Sequence, residues 1–260
     1  MSFIDSHAHL TMAQFDNDRS HVIQRAMDAG LVAIVSLATK KDEFEAEIAL
    51  SRKYPDYLWT SLGFHPHEAQ GVEENDYSIL EETIRKNPKQ IIAVGEIGLD
   101  FYYNFSERKI QEDVLRNQIR LAKIVNLPVI IHCRNAYSEI IQLLHSEDVE
   151  WNRILFHCFS GSFKEALELI ERGAYLAFGG TVTFKKNEKG QKIAASIPIN
   201  QLFIETDSPY LTPVPYRGKR NEPSYVPFVY EKVAELKHIP VPELSKALYD
   251  NFHHFFHITA

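Results

Sequence analysis

The chain has 260 residues, 45% hydrophobic and 24% charged, with a formal net charge of −7. That length buries one large core and suits a single domain over residues 1–260, whereas the acidic balance excludes a protein that coats nucleic acid through many phosphate contacts. Two cysteines, no presequence pattern ahead of FIDSHAHL and no apolar run of about 18 residues argue against a disulfide scaffold and a membrane span, so a reducing, cytoplasmic setting is expected.

Short apolar runs alternate with longer amphipathic ones from end to end. A strand at FID (3–5) precedes a helix over 18–29; LVAIVSL precedes 42–53, YLWTSLG 77–87 and QIIAVGEI 107–125. LPVIIHC precedes 136–146, RILFHC 163–173, AYLAFG 187–196 and QLFIE 224–237. A last helix over 241–256 follows IPVP, where proline suits the first turn, and its phenylalanines are expected to be buried. Eight strands, apolar on both faces and each followed by a helix, predict an α/β fold: a parallel (β/α)8 TIM barrel, with SPYLTPVPYRG as an ordered loop.

In the first strand His7 and His9 are two residues apart, so the period of two puts both imidazoles on one side together with Asp5. Glu96, His132, His157 and Asp207 each fall at or just beyond the end of strands four, five, six and eight. In a barrel these ends share one mouth, where such enzymes work. Imidazole and carboxylate suit divalent zinc, magnesium or manganese, and the two oxygens of Glu96 are separately available to bridge a pair of ions. Bound cations would also supply positive charge where a phosphate must sit. Cys133 and Cys158 directly follow two of the histidines, and strand alternation should turn their thiols away into the core. His21, His145, His238 and the HHFFH cluster lie away from strand ends and are set aside.

In order along the chain, DSHAHL (5–10), GFHPH (63–67), GEIGLDF (95–101), PVIIHCRNA (128–136), HCFSGS (157–162) and ETDSPYLTP (205–213) resemble the TatD family of metal-dependent deoxyribonucleases, within the amidohydrolase-like superfamily. The resemblance covers essentially the whole chain. It implies that His7, His9 and Asp207 hold one ion, His132 and His157 the other, and that Glu96 bridges them. Asp207 then orients the attacking water or accepts its proton. Glu205 acts from behind a ligand, helps with a further ion, or is a plain hydrogen-bonded barrel carboxylate. The resemblance makes His65 and His67 phosphate-proximal and places Arg217, Lys219 and Arg220 on a loop beside the mouth, as local positive charge or as a solvated run. The chain departs from the family pattern at Asn135, where aspartate is usual, and at NFHHFF (251–256), which lacks the usual arginine.

Arg134, two residues past His132, reads as a phosphate ligand or as a salt bridge closing its loop. Among Phe101, Tyr102 and Tyr103, one is expected to stack on an unpaired terminal base and at least two to pack on the barrel rim; Tyr102 is the candidate base contact. Gly161 and Ser162 offer either backbone donors for an anion or an ordinary helix cap. The leading expectation is a two-metal phosphodiester hydrolase trimming single-stranded DNA from an end, with the 3′–5′ exonuclease character taken from the resemblance. No membrane and no obligate protein partner are implied. The alternative is a metal-dependent deacylase of aminoacyl-tRNA or a related ester or amide hydrolase, since the same water attacks a carbonyl. A silent barrel that only binds nucleic acid or a protein would be expected to have lost a ligand.

Overall fold

Each apolar run forms a strand because its side chains are buried on both faces, which a barrel wrapped in helices requires. The computed structural model describes residues 2–258. The strands are β1 (Phe3–Ala8), β2 (Leu31–Ala38), β3 (Leu58–Leu62), β4 (Ile91–Asp100), β5 (Val129–Arg134), β6 (Ile154–Phe156), β7 (Tyr175–Phe178) and β8 (Leu202–Ile204). The helices are α1 (Arg19–Asp28), α2 (Phe44–Lys53), α3 (Glu74–Lys86), α4 (Arg108–Val125), α5 (Tyr137–Ser146), α6 (Phe163–Arg172), α7 (Glu188–Ser196), α8 (Val226–Lys237) and α9 (Val241–Phe255). All strand pairs are parallel, in the order β1 to β8. The expected TIM barrel is therefore the fold.

The ring closes at a seam between β1 and the segment just past β8. Asp207 N–H donates to His7 O at 2.9 Å and His9 N–H to Ser208 O at 2.8 Å, with a parallel bridge between Ala8 and Ser208. Phe3, Ile34, Ile131, Phe156 and Ile204 face outward onto the helices. Ile4, Val35, Ile130, Leu155 and Phe203 form the other cluster, inside the ring, and α9 packs onto it through Phe252, Phe255 and Phe256. These rings meet Trp59, Tyr175 and Phe203, near the N-terminal ends of their strands, so α9 stoppers the end opposite the mouth. Asn251 fastens the helix by donating to Ile199 O at 2.7 Å and Leu202 O at 2.9 Å.

Strand ends differ from expectation where the mouth is built. β4 runs to Asp100, so Glu96 lies inside the strand, whereas β6 and β8 stop at Phe156 and Ile204 and leave His157 and Asp207 beyond them. Helix α3 begins at Glu74 because Asp76 accepts from Glu73 N–H at 3.0 Å, an acidic version of the capping box without its usual serine or threonine. No helix among the described residues is long and apolar enough to cross a membrane.

Candidate metal centre

Eight parallel strands aim their C-terminal ends at one mouth, and there the predicted ligands converge. His132 is two residues beyond Ile130, His157 two beyond Leu155 and Glu205 two beyond Phe203, so the alternation that buries the inner layer also turns these side chains inward. His7, His9, Glu96 and His157 are almost fully buried.

Glu96 is the hub. Its Oε1 lies 2.8 Å from both His132 Nδ1 and His157 Nε2, and its Oε2 lies 3.4 Å from His7 Nε2 and 3.7 Å from His9 Nε2. Asp207 Oδ1 closes the second group, 3.6 Å from His9 Nε2 and 3.9 Å from His7 Nε2. The facing nitrogens are 3.2 Å apart in His7 and His9 and 3.3 Å apart in His132 and His157. Nitrogens about 2.0–2.1 Å from one tetrahedral zinc lie about 3.4 Å apart, so each imidazole pair fits around a single cation. The donor set, nitrogen lone pairs with carboxylate oxygens, is that of a divalent metal site.

Close approach of β4 to β5 depends on Gly98. Its φ is +154°, and a Cβ there would meet His132 O at 1.8 Å, so only glycine lets the strands carrying Glu96 and His132 come this near. Two residues further on is Asp100, a member of the site that the sequence reading missed. Its Oδ2 accepts from His132 Nε2 at 3.1 Å and His67 Nε2 at 2.9 Å, and its Oδ1 accepts from the N–H groups of Tyr102 and Tyr103. A carboxylate on the far nitrogen fixes the tautomer and aim of His132. Its signal was the final acid of GEIGLD, obscured because β4 was expected to end at residue 97.

Asp5 does not join the imidazoles. The register of β1 on β2 slips between Asp5 and Ala8, which breaks the expected alternation, and Asp5 instead accepts from Thr206 N–H at 2.8 Å, from Thr206 Oγ1 and from His7 N–H. Burial pushes its carboxyl up to about 8, against those hydrogen bonds. Burial alone would raise Glu96 as well, yet His157, His65 and His132 hold it well below the carboxylate range. Burial pushes His65 down to about 4 despite Glu96, whose Oε1 is 3.4 Å from its Nε2. Burial also opposes charge on His9, but Asp207 and Glu96 raise it to about 9. Glu205 lies fully buried behind His157: its Oε1 accepts from Cys158 N–H at 2.6 Å and stands 3.5 Å from His157 Nδ1.

Around the centre the basic residues divide. Arg134 stays at the mouth, its guanidinium over Tyr102 at 4.2 Å and Tyr103 at 4.6 Å. Arg217 is exposed and lies over Phe184 at 4.3 Å. Arg220 is instead committed to Asp18, at 2.7 and 2.8 Å, and to Gln14 O, because Asp18 at the start of α1 faces it across the seam. Of the three aromatics expected mainly on the rim, only Phe101 is buried; Tyr102 and Tyr103 stand half exposed, while their backbone N–H groups are tethered to the buried Asp100 carboxylate. Ser162 is a helix cap, with Ser162 N–H donating to Glu165 and Glu165 N–H to Ser162 Oγ at 3.2 Å, so FSGS presents no free donor from Ser162. Both cysteines are free thiols. Cys133 is buried as expected, but Cys158 sits past the end of β6 at a φ of +42°, where strand alternation no longer governs it, and borders the mouth. A cavity of about 470 Å³ opens there beside His132, His157 and Asp207, and Ser160, Thr181, Asn187 and Lys189 line its wall. Nothing in the spacing of these four marked them beforehand.

Residues 4–257 match the family described as TatD related DNase. The uncharacterized metal-dependent hydrolase YabD of Bacillus subtilis is 40% identical over 254 residues, 98% of each chain. The protein named 3'-5' ssDNA/RNA exonuclease TatD in Cronobacter sakazakii is 36% identical over 233 residues, 87% of each chain. Among solved structures, the Escherichia coli TatD homolog YJJV superposes with a TM-score of 0.93 at 31% identity, over 99% of this chain and 98% of that one. Barrel and imidazole–carboxylate mouth together define a metal-dependent hydrolase. Within that class the chain belongs to the TatD family.

Proposed function

We propose that residues 1–260 act as one phosphodiester hydrolase on DNA, a 3′–5′ exonuclease preferring single-stranded ends and using two divalent cations, zinc, magnesium or manganese. One observation carries this reading: the two oxygens of Glu96 face two separate imidazole pairs, His132 with His157 and His7 with His9. When bound, two such cations would acidify a coordinated water and offset charge building on a phosphate. Asp207, the carboxylate of the His7–His9 group, would orient an attacking water and accept its proton. Glu205 holds His157 from behind. Arg134 and His65 bind the phosphate, Tyr102 meets a terminal base, and Arg217 adds positive charge on its loop. The name of the Cronobacter relative supports the polarity and the single-stranded substrate. Two free thiols and the lack of a membrane-crossing helix among the described residues support a cytoplasmic setting.

Metal analysis together with product ladders tests this. The expected result is two ions per chain and stepwise shortening of a single-stranded oligonucleotide from its 3′ end by the metal-supplemented protein. Activity on acylated tRNA with none on oligonucleotides would overturn it in favour of an acyl hydrolase.

A further inference from the structure

Past β4 the chain holds three large rings in solvent: Tyr102, Tyr103 and Phe105 are 58%, 47% and 66% exposed. Apolar surface clustered beside a site needs an occupant. Tyr103 and Phe105 lie nearly parallel, their centroids 5.5 Å apart and their planes 13° apart. Arg134 lies over Tyr102 and Tyr103, but no cation lies over Phe105 among the described residues. The pair connects directly to the centre, since the His67 ring meets Phe105 at 4.8 Å and Tyr103 at 5.5 Å, and His67 and His132 share Asp100.

The loop is also pinned. Ser106 Oγ donates to His67 O at 3.1 Å and accepts from Gln70 N–H at 3.0 Å, while Gln111 Nε2 donates to Ser106 O at 2.7 Å. The rings are therefore presented ready for a partner, with little ordering left to oppose binding. On the nuclease reading above, on which this inference rests, a strand whose phosphate reaches His132 and Arg134 lays its neighbouring base across this ledge.

We propose that Phe105, backed by Tyr103, is the stacking platform for the unpaired base flanking the scissile phosphate, and that it sets the preference for single strands. An aromatic face accepts any base, but only a base with a free face. In duplex DNA that face is taken by the neighbouring pair. Arg134, at the inner edge of the ledge, neutralises the phosphate that connects the two nucleotides.

Steady-state kinetics on a short single-stranded oligonucleotide, free and annealed to its complement, decides the matter. Phe105→Ala is expected to raise KM for the free strand about tenfold, ~1.4 kcal/mol, with kcat within about twofold and the single-strand preference reduced. Phe105→Trp should restore wild-type KM. Ile124→Ala, exposed on the last turn of α4, should leave KM unchanged. Because Phe105 is a surface residue, its removal opens no core. An unchanged KM in Phe105→Ala, or failure of Phe105→Trp to restore it, overturns the platform while leaving the nuclease reading intact. A wild-type enzyme that cleaves no oligonucleotide overturns the nuclease reading itself, and the platform with it.

Discussion

Glu96 and Asp100 sit four residues apart on β4, and their expected losses differ in kind. Among the described residues Glu96 alone offers a carboxylate to both imidazole pairs, so in Glu96→Ala metal-dependent hydrolysis should fall by roughly a thousandfold, with an unchanged far-UV circular dichroism spectrum. Full activity in a metal-loaded variant would contradict its role. Asp100→Asn keeps every candidate ligand but loosens His132, and metal affinity measured by calorimetry should fall about 10–100-fold; unchanged affinity would show that Asp100 is merely structural. Legibility at this scale followed spacing. Histidines and acids at strand ends could be read from period and position, and the ordered family motifs suggested their grouping. Asp100 was missed because its value lies in a long-range bond to His132, and whether Arg220 lends positive charge to the mouth could not be judged without knowing that Asp18, distant in sequence, would face it.

At the scale of elements, α9 shows how a helix outside the eight repeats serves the barrel. Phe252 is fully buried against Trp59 and Phe256, filling the end that the strands leave open. Phe252→Ala should cost about 3–5 kcal/mol, read as a lowered urea midpoint with little change in metal affinity. A loss below about 1 kcal/mol would mean that the stopper is dispensable. The eight strand–helix units were legible because hydrophobic runs and amphipathic stretches alternate so regularly. Element ends were less so: the extension of β4 depends on Gly98 approaching the His132 carbonyl, and the slip in β1 depends on Asp5 finding Thr206. Both are tertiary contacts, invisible to local periodicity.

At the scale of the whole molecule, charge ties α1 to the loop after β8. Arg220 pairs with Asp18 at 2.7 Å, and Arg25 reaches Glu222 at 2.6 Å and Asp18 at 3.2 Å. The Arg220 guanidinium, aided by Arg25, lowers Asp18 from 3.8 to about 2. A depressed acid stabilises the fold above its unfolded pKa of about 4, and that stability drains away as pH falls toward 2. Stability against urea should therefore decline over this window, and Asp18→Asn should make the decline shallower; an identical slope would show that the pair contributes nothing. Added salt should weaken the pairing because these side chains are partly exposed.

The seam has a further consequence for biosynthesis. His7 and His9 are synthesised well before the backbone that receives and completes them, which arrives only with Asp207 and Ser208, some two hundred residues later. A chain interrupted between His157 and Asp207 carries His7, His9, His132 and His157 but lacks the carboxylate and backbone that complete the seam. Metal-dependent hydrolysis is thus expected only from a chain synthesised past Ser208.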